Sequence, residues 1–170
     1  MSAPVEPQLF RAAMAQLAAA VNIVTTDGPA GRYGITVSAV CSVSDTPASL
    51  LVCVNQASRM RALVEANGVL VVNVLTPAHR DLCSRFATPG LGEAERFAAS
   101  DWQVMANGAP GLEGALVRLA CRLVQVCEVG THAVVMAEVE QVVLGAGDEG
   151  AVEGLVYFDR AFHQVPLRAG

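Results

Sequence analysis

The sequence contains no lysine, and arginine supplies all 11 of its basic residues. The missing lysine excludes enzymes that use a Schiff-base lysine, a P-loop lysine or a lysine general base. Charge is sparse, since charged residues make up 16% of the chain and the net charge is −5. The arginines are spread from Arg11 to Arg168 without a basic stripe, so we expect no nucleic-acid partner.

Long apolar runs are also missing, although 53% of the 170 residues are apolar. No segment reaches the roughly 18 consecutive apolar residues of a membrane span, and no basic region precedes an apolar run at the N-terminus. The five cysteines form no C-x-x-C motif. Cys121 and Cys127 would stand about 20 Å apart on one predicted strand, which is too far for a disulfide. We therefore expect a cytoplasmic protein with reduced cysteines and no membrane association.

Hydrophobic periodicity predicts a mainly β fold with a few short helices. The predicted helices are residues 7 to about 20, 58–67 and 79 to about 86. The predicted strands are residues 22–26, 34–43, 49–55 and 68–75, two or three strands within 112–144, and 155–158. The segment 87–111 is rich in Gly and Pro, which predicts an irregular connection anchored by Phe97 and Trp102.

Strands and helices do not alternate regularly in this pattern, which argues against a doubly wound sheet. We predict a closed or split antiparallel β-barrel of the Greek-key type, with the helices packed outside. No linker, charge run or internal repeat divides the chain. Residues 8–167 are therefore predicted to form one domain, with residues 1–7 and 168–170 as tails.

Two motifs of familiar spacing favour structural explanations. Residues 145–150 match G-x-G-x-x-G, but Asp148 and Glu149 would oppose a pyrophosphate and no βαβ unit can follow in the remaining chain, so we predict a turn. His79 and Cys83 are spaced as two ligands on a helix could be, yet no third ligand is near them in sequence, so we expect no metal site. No nucleophile motif of a hydrolase is present.

A row of hydroxyl groups marks the predicted strand 34–43 and the residues just after it. Thr36, Ser38, Ser42 and Ser44 share one parity, which would place four hydroxyls on one face of a strand. Taken alone, such a row is also typical of a solvated strand. Its interest comes from the next strand, which leads directly into a predicted helix N-terminus.

That helix begins with polar residues suited to an anion. Asn55 ends the preceding strand, and Ser58 and Arg59 open the helix. Free N–H groups, a hydroxyl and a guanidinium together can hold a phosphate. Beside the row of hydroxyls, they predict a site for a phosphorylated, ring-bearing ligand at the edge of a barrel.

The same residues carry a resemblance that extends from about residue 9 to residue 165. The sequence resembles the short-chain NAD(P)H:flavin reductases with an FMN-binding split barrel, especially the reductase components for 4-hydroxyphenylacetate hydroxylation and pyrimidine-ring cleavage. The order and spacing of several motifs carry it: Asn22-Ile-Val-Thr-Thr, Gly34-x-Thr36-x-Ser38, Ser42-x-Ser44-Asp45-x-Pro47, Asn55-x-x-Ser58, Asn73-Val-Leu, Arg85-Phe86, Gly130-Thr-His132 and Leu155-Val-Tyr157-Phe158-Asp159-Arg160.

The resemblance implies a homodimeric flavoprotein that reduces FMN or FAD with NADH or NADPH by direct hydride transfer, without a catalytic side chain or a metal. It also implies that a flavin-dependent monooxygenase receives the reduced flavin by diffusion. The implied flavin-binding residues are Thr36, Val37, Ser38, Ala39, Cys41, Asn55, Ser58 and Arg59. The implied residues on the nicotinamide side are His132, Tyr157 and Phe158. Phe86 and Phe97 are expected to be core or lid residues.

Two positions depart from the family pattern. Pro47-Ala48 stands where the family usually has Pro-Pro, which removes one rigid φ angle from a turn. Gly130-Thr131-His132 stands where the family usually has Gly-Asp-His, so His132 lacks a carboxylate neighbour that could orient it. A second function stays open at this point, namely a non-catalytic split-barrel protein that binds flavin or haem for storage or redox sensing.

Overall fold

The computed structural model of the protein describes residues 3–145 and 153–167. The G-x-G-x-x-G motif lies outside the described residues, apart from Gly145. The described residues contain the α-helices α1 (Pro7–Met14), α2 (Arg59–Asn67), α3 (Arg80–Ala87) and α4 (Glu93–Phe97), and a short 3-10 helix at Pro77–His79 precedes α3. None of the helices in residues 3–145 or 153–167 is both long and apolar enough to cross a membrane.

The strands in the described part of the chain form three antiparallel sheets. Seven of them build the main sheet, in the order β3-β2-β6-β9-β10-β5-β4. Their bounds are β2 (Asn22–Thr26), β3 (Tyr33–Val37), β4 (Val40–Asp45), β5 (Ala48–Asn55), β6 (Val69–Val74), β9 (Val117–Val129) and β10 (His132–Leu144). The smaller sheets are β7 (Trp102–Val104) with β8 (Pro110–Leu112), and β1 (Ala19–Ala20) with β11 (Glu153–Phe158) and β12 (Ala161–Pro166).

The main sheet is curled into a barrel. Strands β3 and β4 lie at its two opposite edges, yet only Ser38 and Ala39 separate them along the chain. Val37 and Val40 are three Cα steps apart and can be separated by at most about 11 Å, so the two edges must meet at this point. The backbone amide of Cys53 donates to the carbonyl of Ala39 at 3.0 Å, which fixes the crossing against β5. The predicted barrel with external helices is confirmed.

The prediction of one strand over residues 34–43 is wrong. The strand breaks at Ser38-Ala39, where the chain passes from one edge of the barrel to the other. The alternation of polar and apolar residues continues through the break, so periodicity alone gives no sign of it. The hydroxyls of Thr36 and Ser38 are consequently separated from those of Ser42 and Ser44.

Three further elements differ from the prediction. Helix α1 ends at Met14 rather than near residue 20, because Ala19 and Ala20 pair with Tyr157 and Val156 of β11. The segment 87–111 contains α4 and the β7–β8 hairpin. A strand, β12, follows β11 across a tight turn in which Asp159 and Arg160 both have positive φ angles, 47° and 62°.

Two clusters of buried residues lie on opposite faces of β2. Val24 packs with residues of α2, β5, β6 and β10, whereas Ile23 packs with residues of α3, α4, β8 and β11. Between them the buried Asn73 amide donates to the Ile23 carbonyl at 2.9 Å and accepts from the Leu112 amide at 2.7 Å, so it ties β8 to the barrel. Phe97 and Trp102 pack around Phe86, with ring centroids 5.2 and 5.5 Å away from it, as the anchoring prediction required.

All five cysteines are free thiols. Burial, helped by the nearby Glu140 carboxylate, raises the pKa of Cys121 to about 12. Its thiol therefore stays protonated and acts as a packing group in the core.

Candidate functional site

A cleft of about 390 Å³ opens at the barrel edge where β3 crosses to β4, and we call it the main cleft. Its lining residues are Ile35, Thr36, Val37, Ser38, Ala39, Cys53, Val54, Asn55, Ser58, Phe86, Ala87 and His132. Seven of these twelve are residues implied by the resemblance: Thr36, Val37, Ser38, Ala39, Asn55, Ser58 and His132. The crossing at Ser38-Ala39, the C-terminal end of β5, the start of α2 and the end of α3 meet here.

The polar groups at the start of α2 leave their donors free for a ligand. The Asn55 side-chain oxygen accepts from the Ala57 backbone amide at 2.8 Å, and the Ser58 hydroxyl oxygen accepts from the Met60 amide at 3.2 Å. Each contact fixes the side chain through its acceptor, so the Asn55 NH₂ group and the Ser58 O–H remain available. Ser58 also caps α2 as predicted.

Arg59 extends this donor set with a positive charge. Its guanidinium lies over the Tyr33 ring, 5.4 Å from the centroid. Within the described residues it forms no ion pair and no hydrogen bond. Arg59 is exposed and does not line the main cleft, but it follows Ser58 directly. A hydroxyl, an amide and an unpaired guanidinium at one helix N-terminus fit a phosphate group.

Thr36 presents the opposite hydrogen-bonding character. Its hydroxyl donates to the Cys83 carbonyl of α3 at 2.6 Å, so towards the cleft it can only accept. The contact also ties α3 to β3 beside the cleft. Burial raises the pKa of the Cys83 thiol, against a smaller opposite effect of the Thr36 hydroxyl, so the thiol is protonated and takes no nucleophilic part.

His132 faces the main cleft from the first position of β10, where it pairs with Asn55 of β5. Its Nδ1 lies 2.9 Å from the Thr131 hydroxyl. The Gln56 amide donates to the carbonyls of Gly130 and His132, at 3.0 and 3.2 Å, and so holds the β9–β10 turn against the start of α2. The Thr131 hydroxyl therefore contacts the His132 ring, and Gln56 holds the His132 backbone. Gln56 was not among the residues expected at the site.

A second cleft, of about 240 Å³, adjoins the main cleft and shares Thr36, Ser38 and Ala87 with it. The remaining residues of this second cleft are Val21, Cys83, Ser84, Tyr157 and Phe162. Tyr157 therefore lies on the other side of the shared residues from His132, although both were expected on the nicotinamide side. Phe158 lines neither cleft, and its ring lies 5.9 Å from that of His163.

Cys41 is separated from the other predicted site residues. It lies on β4, after the crossing, in a separate groove of about 410 Å³ with Ser42, Ser44 and the apolar Val139 and Val142. The physical reason is the break at Ser38-Ala39, which sends the chain to the opposite edge of the sheet. The structure thus brings seven of the expected residues into one cleft, keeps Arg59 beside it, and leaves Cys41 apart.

Gly34 and Phe86 shape the floor of the main cleft in a way that the sequence did not indicate. A Cβ atom at Gly34 would lie 2.6 Å from Cε1 of Phe86, so only glycine allows the ring to pack there. Phe86 is 1% exposed and belongs to the core as well as to the cleft lining. The expectation that Phe86 is a core residue is confirmed.

Comparison with known proteins points to one family. The family model described as "Flavin reductase like domain" matches residues 14–166. The chain is 51% identical over 158 residues to an FMN reductase (NADH) of Ancylobacter novellus, covering 92% of this chain and 83% of the relative. It is 49% identical over 168 residues to the 4-hydroxyphenylacetate 3-monooxygenase reductase component of Pseudomonas aeruginosa, covering 95% of each.

A solved structure agrees in fold as well as in sequence. The crystal structure of a candidate flavin reductase from Haemophilus somnus 129PT superposes with a TM-score of 0.88 at 40% identity. The match covers 95% of this chain and 100% of that one. The seven-stranded barrel, whose edge forms the main cleft, is therefore a fold that the two proteins share.

Proposed function

Because the chain belongs to the flavin reductase-like domain family, we propose that it is an oxidoreductase that reduces FMN or FAD with NADH and supplies the reduced flavin to a partner monooxygenase. The observation that carries this proposal is the main cleft, in which donors at the start of α2 and an acceptor on β3 lie on either side of an apolar floor. The family motifs fall within residues 8–167, which we take as the functional unit. Free thiols and the use of NADH favour a cytoplasmic location.

The donors at the start of α2 are proposed to hold the phosphate end of the flavin. Ser58 and Arg59 would donate to phosphate oxygens, and the Asn55 NH₂ group would donate to a neighbouring hydroxyl or phosphate oxygen. The backbone and side chains of residues 36–39 would contact the ring, with Thr36 accepting from a ring N–H group. Phe86 and Ala87 supply an apolar floor that excludes water from the ring.

The flavin, when bound, supplies the ring position that accepts a hydride from NADH. The task of the protein is to hold donor and acceptor at reacting distance, which needs no nucleophile or metal from the chain. His132 faces the cleft from the side opposite α3 and is proposed to orient the donor. Tyr157 lies in the second cleft. It can therefore contact a donor in the main cleft only if that donor extends past Thr36 and Ser38.

A spectrophotometric assay tests the function directly. Purified protein mixed with NADH and FMN should oxidise NADH, seen as loss of absorbance at about 340 nm, and the reduced flavin should then pass its electrons to oxygen or cytochrome c and return to the oxidised form. NADPH and FAD in place of NADH and FMN give the nucleotide preferences. Flavin binding without oxidation of either nucleotide would reject the reductase and favour the alternative, a storage or sensing protein.

Replacing His132 with alanine should slow flavin reduction roughly tenfold and leave flavin affinity within about twofold. The reason is that a residue that orients only the donor contributes to the transition state and not to the resting flavin contacts. Stopped-flow reduction at several NADH concentrations separates the hydride-transfer rate from NADH binding. Thr131→Ala is the matched variant, because it removes the Nδ1 contact and keeps the ring. An unchanged rate and unchanged NADH dependence in His132→Ala would remove His132 from the site.

We also propose that the protein is a homodimer. All of α1 is exposed, and its apolar face presents Phe10 and Met14 with exposed fractions of 56 and 41%; Leu17, just after the helix, is 62% exposed. Such an apolar stripe is characteristic of a helix that packs against another surface. Light scattering at micromolar concentration should give about twice the chain mass of 17.7 kDa. Phe10→Asp should shift the mass towards the monomer, while Gln8→Asp on the same helix should not. A monomeric wild-type chain would refute the dimer.

A further inference from the structure

His132 belongs to an exposed turn, where apolar packing does little to fix its position. The turn joins β9 to β10 through Gly130 and Thr131, and Val129 pairs with His132 across it. All four residues are exposed. Gly130 has a φ angle of 56° and takes the first central position, where two-residue hairpin turns need a positive φ angle. The place of His132 in the main cleft therefore depends on hydrogen bonds.

Gln56 supplies hydrogen bonds that join this turn to the start of α2. Its side-chain NH₂ group donates to the Gly130 carbonyl at 3.0 Å and to the His132 carbonyl at 3.2 Å. Its backbone amide donates to the Thr131 carbonyl at 3.0 Å. One residue thus holds three consecutive carbonyls of the turn. The Gln56 side chain is half-buried although both of its chain neighbours are exposed, as expected of a side chain that lies against the turn.

Gln56 lies between the two ends of the candidate site without lining it. Asn55 and Ser58, on either side of it in the sequence, line the main cleft together with His132, whereas Gln56 does not. The segment that presents the donors proposed for the flavin phosphate therefore also holds the residue proposed for the hydride donor. A side chain that faces neither ligand can affect the reaction only through the residue that it positions.

We propose that Gln56 is a positioning residue for hydride transfer, which sets the place of His132 relative to a flavin held at the start of α2. The proposal rests on the proposed function, because that function assigns His132 to the hydride donor. Both acceptors of the side chain are carbonyls, so only a donor serves at this position. Methionine has a similar length but donates neither bond. Water can replace the lost donor at exposed carbonyls, so Gln56→Met should keep the fold and loosen His132.

Stopped-flow reduction of bound flavin by NADH tests this role in Gln56→Met. The hydride-transfer rate should fall about three- to tenfold, while FMN affinity stays within about twofold, because a small displacement of a group that orients the donor acts on the rate. In the His132→Ala background, Gln56→Met should add less than about a twofold change, since its effect passes through the imidazole. An unchanged rate in the single variant, or full additional slowing in the double variant, would overturn the proposal.

Glu128→Gln is the matched control, because Glu128 joins the same hairpin to α2 by a different contact. Its carboxylate pairs with the Arg61 guanidinium at 2.7 Å, and the Glu128 side chain is 59% exposed. Loss of such an exposed ion pair should slow hydride transfer less than about twofold. Equal slowing in Glu128→Gln and Gln56→Met would assign the effect to general loosening of the hairpin and would also overturn the role of Gln56.

Nuclear magnetic resonance of the imidazole groups gives a measurement that needs no catalysis. The chain has three histidines, so the His132 signals are identified by their loss in His132→Ala. Gln56→Met should shift or broaden them and leave those of His79 and His163 unchanged. A wild-type chain that oxidises no NADH but shows this shift would refute the reductase function and leave the hold of Gln56 on His132 standing. Unchanged His132 signals, in a protein whose wild type reduces flavin, would overturn this inference alone.

Discussion

Replacing Arg96 with methionine is expected to lower the free energy of unfolding by about 3–5 kcal/mol, because one buried guanidinium holds the end of α3 and the loop after it. Arg96 is 2% exposed. It donates to the carbonyls of Phe86 and Thr88 at 2.7 Å each and to that of Leu91 at 3.0 Å. Hydrogen bonds to charged groups contribute about 1.5–3 kcal/mol each, and methionine would leave these acceptors without a partner.

The positive charge is tolerated in the interior for a physical reason. Within the described part of the chain no carboxylate faces Arg96, but its acceptors are carbonyls at and just beyond the C-terminal end of α3, where the helix dipole is negative. The guanidinium also lies over the Tyr33 ring, 5.0 Å from the centroid. Since Phe86 and Ala87 line the main cleft, the same substitution should weaken flavin binding in the protein that remains folded.

Urea unfolding at one fixed protein concentration measures this effect, with the m-value as a check that the transition is unchanged in kind. Arg85→Met is the matched control. It makes the same chemical change on α3, at an exposed side chain with a single carbonyl contact. We expect the control to lose less than about 1 kcal/mol. A loss for Arg96→Met as small as that of the control would show that water replaces the guanidinium and that the loop does not depend on it.

Local signals were sufficient to predict α2 in detail. Ser58 caps it, Met60, Leu63 and Val64 face the core, and Gly68 ends it with a φ angle of 72°. Each of these features depends on residues within one or two turns of each other, so the sequence contains all the information needed. The donors at the start of α2 that we propose for a phosphate could be picked out for the same reason, and their role stays a prediction.

The crossing at Ser38-Ala39 could not be predicted in this way. Whether the chain continues as one strand through Ser38-Ala39 or crosses to another edge is decided by the contact of Ala39 with Cys53 of β5, and this contact leaves no sign in the local periodicity. The same alternation of residues suits both outcomes. The four hydroxyls predicted to form one row therefore lie in two separate pairs, and Cys41 lies on a different surface from the other expected site residues.

Arg96 shows that a buried charged residue can also escape prediction from the sequence. Nothing in the segment 87–111 distinguishes this arginine from the exposed ones, because its partners are backbone carbonyls and any residue can supply those. The strand β12 was missed for a related reason, since five of its six residues are exposed and it pairs with β11 on one side only. Side chains and strands that depend on backbone partners leave little trace in composition.

Replacing Arg59 with alanine should weaken FMN binding ten- to a hundredfold and leave riboflavin binding within about twofold. Arg59 follows Ser58 directly, and its guanidinium has no charged partner in the described residues. Its contribution to binding therefore needs a phosphate on the ligand. A charge-assisted contact is worth about 1.5–3 kcal/mol, and each 1.4 kcal/mol corresponds to a factor of ten in affinity. Quenching of flavin fluorescence gives both dissociation constants from the same protein.

Arg61→Ala provides the matched control, because Arg61 lies on the same helix and its removal changes the net charge by the same amount. Its guanidinium is already paired with Glu65 and Glu128, so FMN affinity should change less than about twofold. Arg59→Lys should recover part of the lost affinity, since the charge remains but the stacking on Tyr33 is poorer. Because screening by salt acts on the phosphate contact, the ratio of FMN to riboflavin affinity should fall with ionic strength in the wild type and not in Arg59→Ala. Equal weakening of FMN and riboflavin would instead mean that Arg59, through its contact with Tyr33, supports the shape of the cleft and leaves the phosphate to Ser58 alone.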